Sequence, residues 1–117
     1  MEKPQKTAAE LFAAQALAMQ VKKELTENIL PYWIKNMSRP DDGFYGRIDG
    51  MENHDLSAPV GNIMTARMLW TFASAYRLFK DQAYLDMALK AKNFIISRFY
   101  DPEYGGTYWS LNPDGSP

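Results

Sequence analysis

The side chains best suited to chemistry fall on one face of a predicted helix. Arg67, Thr71, Ser74 and Arg77 are spaced by four, three and three residues, so helical geometry brings them onto a single narrow arc. A guanidinium stays charged and presents several fixed donors, which suits it to sugar oxygens or to a developing oxyanion. Taken alone, the pattern favours an arginine on a solvent-facing arc. The arc is therefore a candidate site that needs independent support.

Histidine and carboxylate chemistry are the other possibilities. His54, the only histidine, lies in a polar stretch from Glu52 to Asp55, which is typical of a surface histidine. The surrounding loop is rich in acids, and a pair of carboxylates is what a glycosidase requires. Acids this dense in a loop are more often turn formers and solvated charges, and we interpret them as such. They are Asp41, Asp42, Asp49, Glu52 and Asp55.

The composition limits the binding partners and the cellular location that can be expected for the protein. Thirteen Lys and Arg are interspersed with fourteen Asp and Glu, so there is no basic stripe for nucleic acid. The absence of cysteine removes disulfides, cysteine-based zinc sites and thiol nucleophiles. Glu10, Gln15 and Gln20 interrupt the N-terminal apolar stretch, unlike a secretory signal, and no segment approaches the roughly 20 apolar residues that cross a bilayer. We predict a cytoplasmic segment, residues 1–117, without separate domains and without a membrane partner.

Three long helices and two turn-rich regions are predicted. Thr7 and Glu10 have capping-box spacing, so a first helix begins there, with an apolar stripe facing a core. Pro31 predicts a kink or a restart of that helix. Residues 38–58 read as a loop with a short hairpin, and a second helix, capped by Ser57, runs from Pro59 to about residue 79. A third helix spans residues 81 to about 100. The stripe of the first helix consists of Leu11, Ala14, Ala18, Val21, Leu25 and Ile29.

The second helix is apolar on two faces, whereas the third is apolar on one. Ile63 and Trp70 lie nearly opposite the main stripe of the second helix, which is Met64, Met68, Phe72, Ala75, Tyr76 and Phe79. The third helix carries Tyr84, Ala88, Ala91, Ile95 and Phe99 on one side and Asp86, Lys90, Asn93 and Ser97 on the other. Such a pair suits a two-layer ring of helices, in which the second helix lies in the inner layer and the third in the outer layer. The alternative is a small bundle in which Trp70 packs against the first helix.

A glycine-aromatic phrase occurs twice, about 63 residues apart. Asp42-Gly43-Phe44-Tyr45-Gly46 aligns with Tyr104-Gly105-Gly106-Thr107-Tyr108-Trp109, which indicates an internal repeat. Six copies of this period would make a chain of roughly 380 residues, a plausible size for a closed toroid. The repeat therefore favours the ring over the bundle.

Three blocks of sequence resemble the N-acylglucosamine 2-epimerase family, especially its cellobiose 2-epimerase branch, over about residues 25–117. They are Phe44-Tyr45-Gly46-Arg47-Ile48-Asp49-Gly50, Thr65-Ala66-Arg67-Met68-Leu69-Trp70-Thr71-Phe72-Ala73-Ser74-Ala75-Tyr76-Arg77, and Phe99-Tyr100-Asp101-Pro102-Glu103-Tyr104-Gly105-Gly106-Thr107-Tyr108-Trp109. The resemblance implies an all-α fold made of helical hairpins of an (α/α)6 toroid, of which this chain is an N-terminal part. It implies epimerisation of a reducing sugar through an enediolate, without a metal or an organic cofactor.

The resemblance also assigns roles to residues. Arg67 matches an inner-helix arginine that contacts the sugar and stabilises the enediolate, and Thr71 and Ser74 line the funnel beside it. The acid and base are histidines on later helices. Val60 departs from the family, where a lysine is common before the glycine, so no charge is expected there. Tyr45, Tyr108 and Trp109 are interpreted as structural aromatics, although each has a ring that can stack on a sugar.

Two other classes stay open on sequence grounds, a non-catalytic helical-repeat module and a fragment of an (α/α)6 glycosidase. The first predicts a period of 34 residues, which is not found. The second needs an acid of raised pKa, for which there is no evident candidate. Because the 117-residue chain lacks the acid-base histidines and exposes a second apolar helix face, we expect it to be inactive alone and to self-associate.

Overall fold

The computed structural model describes all residues, 1–117, as a mostly helical chain. The elements in chain order are α1 (Ala8–Glu24), a π-helical turn (Leu25–Ile29), α2 (Leu30–Met37), β1 (Val60–Gly61), α3 (Asn62–Phe79), α4 (Gln82–Phe94), a second π-helical turn (Ile95–Phe99) and β2 (Ser110–Leu111). They divide into two compact units, Met1–Trp33 and Ile34–Pro117. None of the helices is long and apolar enough to cross a membrane.

The first unit begins with the predicted capping box. The backbone N–H of Glu10 donates to Thr7 Oγ1 at 3.2 Å, and that of Thr7 donates to Glu10 Oε2 at 2.8 Å. The apolar stripe predicted to face a core is not packed, since no residue of α1 is buried and Leu11 and Val21 are about half exposed. The prediction of a core contact was therefore wrong for α1, because this unit has no second long helix to cover the stripe.

The helix restarts around Pro31, as predicted. The departure from α-helical geometry lies in the turn before the proline. The segment Leu25–Ile29 widens to a π-helical turn, closed by the N–H of Leu30 donating to the Leu25 carbonyl. Pro31 then lies in the first turn of α2, directly after this wider turn. A π-helical turn absorbs the mismatch that an uninterrupted α-helix would suffer at an interior proline.

The core of the second unit lies between α3 and α4. Lys80 ends α3 in the left-handed conformation, with φ 55°, and the Asp81 carboxylate caps α4 by accepting from the N–H of Ala83 at 2.9 Å. So short a connection folds the two helices back on each other. Phe72 and Tyr84 meet across them with ring centroids 6.2 Å apart. Both predicted stripes are largely buried, through Met68, Phe72, Ala75, Tyr84, Ala88, Ala91 and Phe99.

The start of α3 differs from the prediction. The helix begins at Asn62 with Gly61 as its N-cap, three residues later than expected, and Ser57 does not cap it. Ser57 instead bonds the carboxylate of Asp55 through its N–H and its hydroxyl. The residues before the helix are extended because Val60 and Gly61 pair with Leu111 and Ser110 in an antiparallel bridge between β1 and β2. This pairing is non-local, so helix periodicity could not indicate it.

The repeated phrase adopts the same structure twice, which confirms the internal repeat. In the first copy the N–H of Asp49 donates to the Asn53 carbonyl at 3.0 Å, and 63 residues later the N–H of Asn112 donates to the Ser116 carbonyl at 2.7 Å. Each copy also closes a hairpin just after a helix. The closing backbone bonds are Arg39 to Gly43 and Tyr45 to Met37 in the first hairpin, and Asp101 to Gly106 and Tyr108 to Phe99 in the second.

Candidate functional site

The predicted arc lies on the face of α3 that points away from the core. Arg67 is exposed, Thr71 and Ser74 are half-buried, and the ion pairs of the structure do not involve Arg67. Two apolar side chains share this face, Ile63, which is 47% exposed, and Trp70, which is 72% exposed. The indole of Trp70 is thus bare. The face combines a free guanidinium with hydroxyls and an indole.

The first turn of α3 is built to hold this face rigidly. Thr65 is fully buried and its hydroxyl donates to the carbonyl of Gly61 at 2.9 Å. Thr65 was not singled out from the sequence, because a threonine near Met64 and Met68 does not stand out from the apolar pattern of the helix. The Gly61 carbonyl gives this buried hydroxyl its hydrogen-bond partner, and the packing of Thr65 anchors the turn that precedes Arg67.

A second contact joins the start of α3 to the second hairpin. The N–H of Asn62 donates to the carbonyl of Trp109 at 3.0 Å, and the Asn62 side-chain amide donates to Thr107 Oγ1 at 2.8 Å. Asn62 was not singled out from the sequence, since its partners lie 45 or more residues away. The consequence is that the hairpin aromatics are brought to the same end of α3 as Arg67, which lies in the second turn.

His54 has a structural role on the surface, in agreement with the sequence interpretation. Its ring stacks on Tyr45 with centroids 3.9 Å apart, and its Nε2 is 2.6 Å from the carbonyl oxygen of Asn36. Both contacts tie the two strands of the first hairpin region to the end of α2. A histidine held in this way serves the loop and is not poised as a catalytic base.

The loop acids form turns, as the sequence predicted. Asp49 accepts from the N–H groups of Met51 and Asn53 at 2.8 and 2.9 Å, and these bonds hold the pKa of its carboxyl below the ordinary value of 3.8. The bonds from Ser57 lower the pKa of Asp55 in the same way. A glycosidase acid needs a raised pKa, so these carboxylates do not suit that chemistry. No group of three or more His, Asp or Glu side chains is arranged to hold a metal ion.

The prediction that the outer face of α4 is solvent-facing was wrong at Lys90. It was expected to face solvent, but its ammonium donates to Ser38 Oγ and to the Arg39 carbonyl, both at 2.6 Å, and lies 5.2 Å from the ring centre of Phe44. Burial lowers the pKa of this lysine. Lys90 therefore fastens the first hairpin to α4.

The space between the two hairpins of the second unit is too small for a sugar. A polar cavity of about 30 Å³ lies between the two hairpins, bordered by Arg39, Asp42 and Arg98, which is room for little more than one water molecule. Arg39 donates to the carbonyl of Pro113, so this cavity joins the two copies of the repeat. A wider, open cleft of about 210 Å³ is lined by Ile34, Ser38, Met87 and Lys90, but not by Arg67. The candidate site is the open face of α3 that carries Arg67. Val60, where no charge was expected, is buried in the pairing of β1 with β2.

The antiparallel pair of α3 and α4 fits a helical hairpin of an (α/α)6 toroid. Three-dimensional comparison places it among sugar epimerases. The cellobiose 2-epimerase of Spirochaeta thermophila superposes with a TM-score of 0.85 at 36% identity, covering 96% of this chain and 27% of that one. The cellobiose 2-epimerase of Bacillus thermoamylovorans superposes with a TM-score of 0.83 at 35% identity, covering 88% and 26%.

Sequence comparison agrees. The chain is 48% identical over 104 residues to the cellobiose 2-epimerase of Bacteroides fragilis, covering 88% of this chain and 26% of that protein. It is 39% identical over 99 residues to the cellobiose 2-epimerase of Eubacterium cellulosolvens, covering 83% and 24%. No family model matches the chain. The similarity confirms the resemblance to the cellobiose 2-epimerase branch of the N-acylglucosamine 2-epimerase family, and the chain spans about a quarter of the length of these relatives.

Proposed function

We propose that this chain is the N-terminal part of a sugar 2-epimerase or isomerase acting on a reducing sugar of the cellobiose, mannose or N-acylglucosamine type. The observation that carries the proposal is the 48% identity to a cellobiose 2-epimerase over most of the chain. The exposed guanidinium on α3 supports it. The complete protein would close an (α/α)6 barrel around the face that bears Arg67, and we place it in the cytoplasm on the sequence grounds given above.

The proposed reaction is a proton transfer at the carbon next to the anomeric carbon. After the ring opens, a base removes the proton alpha to the aldehyde, and the electron pair moves onto the carbonyl oxygen to form an enediolate. A second group returns a proton to the opposite face of that carbon. Substrate and product are isomers, so no oxidant or reductant is consumed.

In this proposal, Arg67 stabilises the enediolate electrostatically. Negative charge develops on the former carbonyl oxygen, and a fixed guanidinium aimed at that oxygen lowers the barrier most where water is excluded. Thr71 and Ser74, half-buried on the same face, donate to or accept from the sugar hydroxyls. The acid and base lie on other helices, because His54 is the only histidine of this chain and is occupied by the loop.

The test uses the 117-residue chain alone and a hybrid enzyme. In the hybrid, this chain replaces the matching 104-residue region of the Bacteroides fragilis cellobiose 2-epimerase, an exchange that the 48% identity makes practicable. We expect no turnover of cellobiose, mannose or N-acetylmannosamine by the chain alone, and epimerisation of at least one of these sugars by the hybrid. Turnover by the chain alone, or a folded hybrid that is inactive on all three, would overturn the proposal.

A further inference from the structure

The start of α3 has no capping side chain of its own. Its N-cap is Gly61, so no hydroxyl or carboxylate at that position accepts from the N–H groups of the first turn. The second hairpin supplies an acceptor instead, because the carbonyl of Trp109 accepts from the N–H of Asn62 at 3.0 Å. The end of α3 that precedes Arg67 is therefore held by a contact from a distant part of the chain.

The side chain of Asn62 makes a second bond to the same hairpin. Its amide donates to Thr107 Oγ1 at 2.8 Å, across 45 residues of sequence. A single bond would let the hairpin turn about it, whereas two bonds from different atoms of one residue fix the direction of the hairpin relative to the helix. Thr107 is itself held, because the N–H of the next residue, Tyr108, donates to the carbonyl of Phe99 at 2.9 Å. Asn62 thus joins the start of α3 to a hairpin that is closed by its own backbone bonds.

This junction lies close to Arg67 along the helix. Arg67 comes five residues after Asn62, which corresponds to roughly 7.5 Å at a rise of 1.5 Å per residue. Between them, the buried Thr65 holds the first turn through its bond to the carbonyl of Gly61 at 2.9 Å. Helix ends fray where the N–H groups of the first turn lack partners. The direction of the Arg67 side chain therefore depends on the contacts that hold this turn.

We propose that Asn62 is a positioning residue for the epimerisation, and that its bond to Thr107 holds α3 so that the guanidinium of Arg67 points at the oxyanion of the enediolate. This inference rests on the proposed function and adds to it a residue that does not touch the sugar. Electrostatic stabilisation requires donors that are already aligned, and a small misplacement lowers the rate severely. Because the negative charge develops only in the transition state, a loss of alignment lowers kcat more than it raises KM.

The hybrid enzyme tests this inference at both ends of the bond, with the sugar that the parent hybrid epimerises. Asn62→Ala removes the donor, and Thr107→Val removes the acceptor while it keeps the shape of the side chain. We expect each substitution to lower kcat about three- to tenfold with KM within about twofold of the parent, and the double variant to lose no more than either single one. Thr107→Ser keeps the hydroxyl and should stay near the parent values.

Gln82→Ala is the matched control. Gln82 is likewise the first residue of a helix, α4, and its amide donates at 2.8 Å to Asp86 Oδ1 of the same helix. That bond is local and does not reach α3, so kcat should change less than about twofold. The background Arg67→Lys separates positioning from a general loss of structure. There Asn62→Ala should change kcat less than about twofold, because the guanidinium that it aligns is absent.

Three outcomes separate the possibilities. An unchanged kcat in Thr107→Val, or a loss from Asn62→Ala that is as large in the Arg67→Lys background as in the parent, would overturn the role of Asn62 while leaving the proposed function intact. A folded but inactive parent hybrid would overturn the proposed function, and this inference with it. If Asn62→Ala melts well below the parent, Thr107→Val takes its place in both backgrounds, since it leaves the first turn of α3 unaltered.

Discussion

At the scale of single residues, Gly46 is the position where the backbone leaves no room for a side chain. A Cβ on Gly46 would lie 2.2 Å from the Pro59 carbonyl oxygen and 2.7 Å from that of Ala58. Because these atoms belong to the backbone, they cannot rotate away. We expect Gly46→Ala to lower the free energy of unfolding by about 1–3 kcal/mol, measured by urea titration of the 117-residue chain.

Gly50 provides the control for this prediction. A Cβ there meets no atom within 4 Å, and the residue does not adopt a positive φ. Gly50→Ala should therefore change the free energy of unfolding by less than about 0.5 kcal/mol. Equal effects of the two substitutions would show that the close approach at Gly46 is not what requires glycine.

Residues whose partners are nearby in sequence were predictable, and those with distant partners were not. The capping box of Thr7 and the turn-forming acids depend on neighbours within four residues, and the structure confirms both. Lys90 and Asn62 act on residues 45 or more positions away, so a solvent-facing lysine and an ordinary helix residue were the natural interpretations. Periodicity reports which face a side chain occupies, not which loop folds over that face.

At the scale of elements, Lys90 is the residue that fixes the first hairpin on α4. Replacing it by methionine keeps the stem but leaves Ser38 Oγ and the Arg39 carbonyl without their donor in a half-buried position. We expect Lys90→Met to cost about 1–3 kcal/mol of unfolding free energy. Lys92→Met, at an exposed position two residues on, should cost less than about 0.5 kcal/mol. A loss no greater for Lys90→Met than for Lys92→Met in urea titrations would contradict the role of the lysine.

The buried faces of α3 and α4 followed from the sequence, but the start of α3 and the packing of α1 did not. Apolar spacing identified the buried stripes of α3 and α4, because side chains three and four residues apart share a face. The start of α3 was placed too early because pairing with β2 holds Val60 and Gly61 extended. The apolar spacing of α1 is that of an amphipathic helix, but no residue of α1 is buried in this chain. Apolar spacing shows which face needs a packing partner and does not show whether that partner is present.

At the scale of the whole molecule, the exposed apolar side chains predict self-association of the isolated chain. Phe12 and Met19 on α1 are 74% and 73% exposed, and Trp70 and Leu78 on α3 are 72% and 74% exposed. Burying such surface in a dimer or a larger assembly would remove it from water. We expect light scattering coupled to size exclusion to report more than one 13.4 kDa chain per particle at micromolar concentration. A monomer that persists to millimolar concentration would contradict this expectation.

The class of the molecule was predictable because three blocks of sequence occur in the right order, and the comparisons confirm that resemblance. The internal repeat was equally visible, and its two copies share the same backbone bonds. The substrate was not predictable, because the face that carries Arg67 is open in this chain and does not define the shape of a sugar-binding pocket.

The most direct test of the account is the effect of Arg67→Lys on proton exchange in the hybrid enzyme. Run in deuterium oxide, the active hybrid should place deuterium on the epimerised carbon of the sugar, as NMR would detect. We expect Arg67→Lys, which keeps the charge but loses the planar set of guanidinium donors, to slow this incorporation by roughly 10²–10³-fold. The control Arg47→Lys, at an exposed arginine that pairs with Asp55, should change it less than about twofold. Incorporation at the parent rate in Arg67→Lys would contradict the role of Arg67 in stabilising the enediolate.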